Sequence, residues 1–164
     1  MDQTESSSIV LLSSDLRQLI MDKKSAKLSK FIKNFIEDFP NEVIHFQEID
    51  YDTLLQIKEY LDYHKDNKPK KIPKPLPNKD FKEIIEEWDY NYIDKDSTVI
   101  FKIMEAANFM DIKPLLNLTC AKISSLIKGK NPDEIRRTLG MEDDIDELDD
   151  KEEENGNKDE FLVD

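Results

Sequence analysis

The stretch AANFMDIKPLLNLTCAKISSLIKGKNPDEIRRTLG, residues 106–140, decides how the second half of this chain is organised. Pro114 fits the first turn of a helix, where its missing N–H is not needed. Gly129 then provides a natural C-terminal stop for the same helix. The positions between them form a wide apolar stripe at helical spacing: Leu115, Leu116, Thr119, Cys120, Ile123, Leu126 and Ile127.

A second, shorter helix is predicted directly after the first. Asn131 is suited to cap it, Pro132 to occupy its first position, and Glu134 to complete a capping box. Ile135 and Leu139 then lie one turn apart on one face. The sequence therefore predicts, late in the chain, a short helix with strong N-terminal capping signals and one apolar edge.

The apolar positions of these two helices are numerous for a short mixed α/β chain. Each side chain left exposed costs roughly 1.5–3 kcal/mol, so such a surface persists when a partner covers it. The simplest alternative is that both helices pack on the core of their own domain. The two helices lie late in the chain and a charged segment follows them, so a docking surface is as good an interpretation as packing on the core.

The first part of the chain predicts a hairpin, a helix and a further strand. SIVLLSSDLRQLIM (8–21) is typical of two short strands joined by a polar turn. EVIHFQEI (42–49) is predicted to form a third strand. Between them, SAKLSKFIKNFIED (25–38) predicts a helix capped by Ser25, with one buried face at helical spacing: Leu28, Phe31, Ile32, Phe35 and Ile36.

The middle of the chain predicts helices on either side of a long loop. Asp50 or Asp52 is expected to cap a helix whose inward positions are Leu54, Leu55, Ile57 and Leu61. Residues 65–80 are rich in lysine and proline, which predicts an exposed, extended loop. FKEIIEEW (81–88) and the segment from Asp96 or Ser97 predict two further helices.

Composition and charge exclude several classes of function. Only 3 of the 164 residues are glycine, so a Gly-rich phosphate loop is nearly excluded. No apolar run approaches the ~18 residues of a membrane helix. The net charge is −13, and residues 142–164 hold 13 acidic residues against 2 lysines. Nucleic acid is a poor partner for such a chain, because phosphate binding depends on basic patches.

The sequence contains no recognisable catalytic or metal-binding motif. His45 and His64 are interpreted as ordinary structural or surface residues, because one cysteine cannot complete a zinc set with them. Cys120 is interpreted as a small buried hydrophobe or a contact residue. An EF-hand pattern in the acidic segment fails, since Leu148 and Asp149 replace a ligand and the glycine. We therefore expect no metal, no cofactor, no catalytic residue and no enzymatic activity.

The acidic segment 142–164 is too charged to fold alone and is predicted to be disordered, or to order on a partner. A simple solubilising role fits its composition equally well. The first residues, MDQTESSS, lack the pattern of a signal peptide, and one cysteine excludes an internal disulfide. We therefore expect a protein of the cytoplasm and nucleus.

Two blocks carry a resemblance to a known family, AANFMDIKPLLNLTC (106–120) and IKGKNPDEIRR (127–137). They resemble the S-phase kinase-associated protein 1 family, the F-box-binding adaptors of SCF ubiquitin ligases. The hairpin near SSD, the helix after SAKLS and the segment YLDYHKDNKP also match in order and spacing. The resemblance covers about residues 8–141.

The resemblance implies an α+β architecture with a BTB/POZ-type fold, in which a small sheet is flanked by helices and followed by a C-terminal helical extension. It also implies three parts. Residues 8–112 form a BTB/POZ-like, cullin-binding domain that contains the loop 65–80. Residues 113–141 form the F-box-binding helices, and residues 142–164 form the acidic tail.

The implied function is that of a non-catalytic adaptor, which bridges the N-terminal region of a cullin to F-box substrate receptors for ubiquitin-dependent degradation. The block IFKIMEAANFMD matches the cullin-contacting part of the family. The cullin contacts implied for this chain are Ile103, Met104, Asn108 and Phe109. The implied F-box contacts are Leu116, Cys120, Ile123, Ile127, Pro132, Ile135 and Leu139.

The resemblance also implies indirect partners, a RING-finger protein and a ubiquitin-conjugating enzyme. A homodimer of the free chain is left open. Two alternatives remain open. An elongin C-like cullin adaptor would end close to Cys120 and recruit a different box motif. A self-associating BTB domain would form a stable homodimer that ignores F-box peptides.

Overall fold

The computed structural model of this protein describes residues 6–140. The predictions for residues 142–164 lie outside these residues. Contacts divide the chain into two compact units, Met1–Ile123 and Ser124–Asp164. In the first unit, described from residue 6, a small sheet is followed by most of the helices. The second, described to residue 140, contains a short helix and the end of the one before it.

The predicted hairpin is confirmed. Strand β1, Ser8–Leu12, pairs antiparallel with β2, Gln18–Asp22, and β1 also pairs in parallel with β3, Ile44–His45, which gives the order β2-β1-β3. The strand predicted over residues 42–49 is therefore confirmed only at two residues. One face of the hairpin is buried, as alternation requires: Ile9, Leu11, Leu19 and Met21.

The helix predicted from Ser25 is divided into α1, Lys23–Ala26, and α2, Lys30–Asp38. Ser29 caps α2, because its hydroxyl accepts from the Ile32 N–H at 3.1 Å. The same hydroxyl donates to the Met110 carbonyl at 2.5 Å, which ties α2 to a distant part of the chain. The prediction that Leu28 joins the buried face is wrong, since it lies exposed between the two helices.

Helix α3, Tyr51–His64, begins where the sequence predicted. Asp50 is the cap, with its carboxylate accepting from the Thr53 N–H at 2.8 Å. Leu54, Ile57 and Leu61 are buried as predicted, but Leu55 is exposed because it lies on the outer face of α3. The loop 65–80 contains no helix or strand.

The helical pattern predicted over residues 81–88 is interrupted. Helix α4, Phe81–Ile84, ends at Ile85, which is buried and extended at φ −104° and ψ 144°. Helix α5, Glu87–Tyr92, starts two residues later. Ile85 is buried in an extended conformation, and this ends the helix although the spacing of its apolar residues is helical.

Helix α6, Ser97–Phe109, begins after Asp96, as predicted. It contributes Ile100, Ile103, Ala106 and Ala107 to the core of the first unit. This core lies between the inner face of the hairpin, α3 and α6. Its largest fully buried side chains are Tyr60, Leu11, Met21, Ile32, Leu54, Ile57, Leu61, Ile93, Ile100, Ile103, Met110 and Ile112.

Helix α7, Lys113–Ile127, crosses from the first unit into the second, and α8, Pro132–Leu139, follows within the second. Gly129 has a positive φ of 73°, which supports its predicted role as a stop. Among the described residues, no helix is both long and apolar enough to cross a membrane. The contact units divide after Ile123. The predicted functional boundary between residues 112 and 113 stays a prediction.

Candidate protein-binding surfaces

An aromatic groove of about 470 Å³ opens in the first unit beside the C-terminal end of α6. Phe109, the last residue of α6, is 56% exposed. Its ring lies 5.1 Å from that of Phe31 on α2 and 6.1 Å from that of Phe46 after β3, centroid to centroid. Phe46 is buried, so it forms a floor under two more exposed rings. Three distant segments thus build one aromatic surface.

Charged side chains surround this apolar floor. Glu48, Asp50, Lys102 and Glu105 all line the groove. Lys102 Nζ lies 3.1 Å from Asp50 Oδ2. The pKa of Asp50 is held below its usual range, first by hydrogen bonds from the Thr53 side chain and N–H, and then by Lys102. The groove therefore has an apolar centre and a rim of both charge signs, which is typical of a protein-binding site.

The four residues implied as cullin contacts differ in their exposure. Asn108 and Phe109 are exposed, and Met104 is half-buried. Ile103 is fully buried in the core of the first unit, and its role as a cullin contact stays a prediction. Of the four, only Phe109 lines the groove.

The sequence interpretation missed Phe31, Phe46, Lys102 and Glu105 as members of this surface. Phe31 was assigned to a buried helix face, and Phe46 to a strand. Lys102 and Glu105 lie one helical turn or more before Phe109 on α6, and that spacing is the signal that would have found them. The contribution of α2 and of the segment after β3 depends on tertiary packing, which no local pattern reports.

In the first unit, the apolar residues of α7 fall into a buried group and a more exposed group. Leu115, Leu118 and Thr119 are buried, whereas Leu116 and Ile123 are half-buried and Cys120 is exposed. The interpretation of Cys120 as a buried hydrophobe is therefore wrong, and its interpretation as a contact residue stays a prediction. The implied F-box contacts of this helix are those that its own core does not cover.

In the second unit, α8 contains no buried residue. Ile135 and Leu139 are half-buried, Ile127 at the end of α7 is half-buried, and Pro132 is exposed. The ends of α8 are well defined, because Asn131 and Glu134 form the predicted capping box and Gly140 closes the helix at φ 68°. The local sequence thus fixes a helix whose apolar edge is not enclosed.

His64 belongs to a buried structural pair. Its Nε2 lies 2.7 Å from Asp89 Oδ1, and its Nδ1 lies 2.7 Å from the Asn67 carbonyl. Both partners are acceptors, which suits a doubly protonated ring that donates twice. Burial alone would lower the pKa of His64, but these hydrogen bonds and the charges of Asp89 and Glu86 raise it above its usual value.

The other histidine, His45, is exposed and lines the aromatic groove. Within residues 6–140, no group of three or more His, Cys, Asp or Glu side chains is placed to hold a metal ion.

Comparison with known proteins assigns this chain to a family. Residues 7–66 match the family model described as the Skp1 family, tetramerisation domain, and residues 113–160 match the Skp1 family, dimerisation domain. An S-phase kinase-associated protein 1 homolog of Tetrahymena thermophila is 40% identical over 142 residues, which cover 85% of this chain and 86% of the homolog. The chain belongs to the Skp1 family.

Proteins described as SCF subunits are similar over nearly the same extent. An E3 ubiquitin ligase complex SCF subunit sconC of Arthroderma otae is 33% identical over 147 residues, covering 88% of this chain and 89% of the relative. The corresponding subunit of Aspergillus terreus is 33% identical over 142 residues, with 85% and 88% covered. The resemblance and the BTB/POZ-type α+β fold that it implied are therefore confirmed.

Proposed function

We propose that this Skp1-family chain is the adaptor subunit of an SCF-type ubiquitin ligase, and that it bridges the N-terminal region of a cullin to F-box substrate receptors. One observation carries the proposal beyond family membership. The first unit presents the apolar groove at Phe109 and, separately, the incompletely covered positions of α7, and the second unit presents the half-buried apolar edge of α8. An adaptor needs one surface for each partner.

The groove is the proposed cullin site. Phe109 is a large exposed ring held by contacts with Phe31 and Phe46, so a partner that covers it gains apolar burial without ordering it first. The rim of acids around Lys102 gives directional contacts that fix the register of the partner. An amphipathic helix with an apolar stripe and charged edges suits this surface.

The F-box receptor is proposed to cover the remaining apolar positions. Leu116, Cys120 and Ile123 follow one another at spacings of four and three residues, so they share one face of α7. Ile135 and Leu139 share one face of α8 in the same way. Pro132 is exposed and Ile127 half-buried beside the turn between these helices. Helical receptor segments dock on such faces through apolar anchors.

The chain itself is proposed to make and break no bond. Its contribution to ubiquitin transfer is to hold the receptor and its substrate close to the cullin-bound RING-finger protein and ubiquitin-conjugating enzyme, which raises their effective concentration. We further propose that the adaptor works in the cytoplasm and nucleus. The free chain is proposed to self-associate through the apolar face that a receptor otherwise covers.

The test uses the full chain with a purified cullin N-terminal region and, separately, a purified F-box segment. Phe109→Ala is expected to weaken cullin binding by about 30-fold or more, as for a buried aromatic anchor, and to leave F-box binding unchanged. The pair Ile123→Asp plus Ile135→Asp is expected to abolish F-box binding and leave cullin binding unchanged. Affinities are measured by calorimetry.

Circular dichroism of each variant supplies the folding control. Equal loss of both activities in the Phe109→Ala variant, with a changed spectrum, would mean that this residue supports the fold and not a partner. Unchanged F-box binding in the double aspartate variant would refute the receptor site.

A further inference from the structure

The loop 65–80 carries a positive charge within an acidic chain. It contains six lysines and two aspartates, a net charge of +4, whereas the whole chain has a net charge of −13. Two of the lysines form ion pairs with acids of the first unit. The other four are exposed and have no ion-pair partner among residues 6–140: Lys68, Lys71, Lys74 and Lys79.

One of these four lysines is held against helix α7. Lys74 Nζ donates a hydrogen bond to Asn117 Oδ1 at 2.8 Å, a contact between residues 43 positions apart. The amide oxygen of Asn117 is neutral, so this bond positions the ammonium group without neutralising its charge. The ion pair of Lys70 with Glu86 at 2.8 Å is a second contact, four residues earlier in the loop. The loop is therefore attached to the first unit at two points.

Asn117 lies at the edge of the α7 face that is proposed for the receptor. Successive residues of an α-helix are about 100° apart around its axis, so Asn117 lies about 60° from Cys120 and about 100° from Leu116. Asn117 and Leu116 are half-buried, and Cys120 is exposed. Lys74 thus places a positive charge next to the open face of α7.

The chemistry of the loop indicates which kind of partner fits it. The loop contains no aromatic residue, so it lacks the stacking rings of a site for single-stranded nucleic acid. Ammonium groups pair with carboxylates. Because Lys74 lies beside the receptor face of α7, a receptor bound there is the partner whose carboxylates come within reach.

We propose that the basic patch, defined as Lys71, Lys74 and Lys79, extends the receptor surface of α7 and favours F-box receptors with an acidic segment beside the F-box. This inference rests on the proposed function and adds a basis for choosing among receptors. Lys71 and Lys79 are three and five residues from Lys74, so their Cα atoms lie at most about 11 and 18 Å from its Cα atom. A short run of acidic residues spans these distances.

The experiment compares two forms of one purified F-box segment, extended by a short run of glutamates or by an equal run of glutamines. Extensions at the N-terminal and the C-terminal end are tested separately, so that the acidic run is presented on both sides. At one end, the full-length chain is expected to bind the glutamate form about fivefold more tightly, because each exposed ion pair contributes little. High salt is expected to remove this preference.

Two variants of the basic patch test its role. Lys71→Glu with Lys79→Glu is expected to invert the preference, because glutamates of the receptor then face glutamates of the loop. Lys74→Met removes the charge held at Asn117 and is expected to reduce the preference to about twofold.

Lys27→Glu with Lys33→Glu is the matched control for net charge. Both lysines are exposed in the first unit, lie outside the loop 65–80 and have no ion-pair partner among the described residues. The control is expected to keep the preference of about fivefold, because its charges change away from α7.

Equal affinity for the glutamate and glutamine forms at both ends would overturn this inference and leave the proposed function intact. Failure of the wild type to bind any form of the F-box segment would overturn the proposed function, and this inference with it. A patch variant that weakens both forms equally would mean that the lysines act on other acids, those of this chain included, and would contradict the inference. Loss of the preference in the control would contradict it too, as an effect of net charge alone.

Discussion

Helices α6 and α8 both present apolar side chains to solvent, but different interactions hold them in place. Four residues of α6 are buried in the core of the first unit, and its exposed Phe109 is supported by two further rings. No residue of α8 is buried, and its ends are defined by a capping box and by Gly140. One surface is built by tertiary packing and the other by local sequence.

This contrast suits a small chain that is proposed to serve two kinds of partner. A site supported by the core is ordered in advance, so its partner gains affinity with little loss of entropy. A helix of eight residues is marginal on its own, so the apolar edge of α8 can adjust to the partner proposed for it. Variants in both units test this contrast.

The largest effect is expected at His64, in the first unit. His64→Leu leaves the buried Asp89 carboxylate without its partner, which costs about 3 to 5 kcal/mol of unfolding free energy. Urea denaturation followed by Trp88 fluorescence measures this loss. A variant with wild-type stability would show that the pair does not help to hold α3 against α5.

The same pair predicts a dependence on pH. The folded pKa of His64 is raised above its unfolded value of about 6.5. Its stabilising contribution is therefore fully present below about pH 6.5 and is lost as the pH rises through the folded pKa. Stability measured from pH 6 to pH 9 should fall in the wild type, and this component should be missing in His64→Leu.

Ile103→Ala is expected to cost about 2 to 5 kcal/mol, because Ile103 is fully buried and the substitution leaves a cavity. Because it acts through the core, the variant should lose cullin and F-box binding together when it unfolds. Met104→Ala, at a half-buried neighbour, should cost less. A selective loss of cullin binding by folded Ile103→Ala would instead support Ile103 as a contact.

Two helix caps allow a direct comparison of the two units. Ser29→Ala removes a buried cap that also bonds the Met110 carbonyl, and should lower global stability by about 2 kcal/mol. Asn131→Ala removes the exposed cap of α8 and should cost about 1 kcal/mol, confined to that helix. Hydrogen exchange of individual amides separates a global effect from a local one.

The smallest effect is expected on the rim of the groove. Lys102→Met breaks an exposed ion pair with Asp50 and should change stability by less than about 1 kcal/mol. Its effect on cullin association should instead be on the association rate and its salt dependence. Stopped-flow measurements at two ionic strengths test this expectation, and a large change in melting temperature would contradict it.

Local sequence predicted those parts of the structure that local interactions determine. The hairpin, the Asp50 cap, the start of α7 and the capping box of α8 all follow from residue types at fixed spacings. The helix break at Ser29 did not, because its hydroxyl is held by a carbonyl 81 residues away. The break at Ile85 likewise depends on burial of an extended residue.

The candidate sites follow the same rule. Phe109 was found because one motif contains it, whereas Phe31 and Phe46 come from separate segments and meet it only in the folded unit. Ile103 was named because a motif contains it, and a motif does not distinguish the two sides of a helix. Burial does distinguish them, since Ile103 is fully buried and Phe109, six residues later on α6, is exposed.

The exposure of Cys120 has a practical consequence. It is the single cysteine in the sequence, and its thiol is accessible on α7. A maleimide dye would therefore label the unmodified chain at one defined position. Because that position lies on the face proposed for the receptor, a change in the fluorescence of the attached dye would report receptor binding in real time, without any engineered residue.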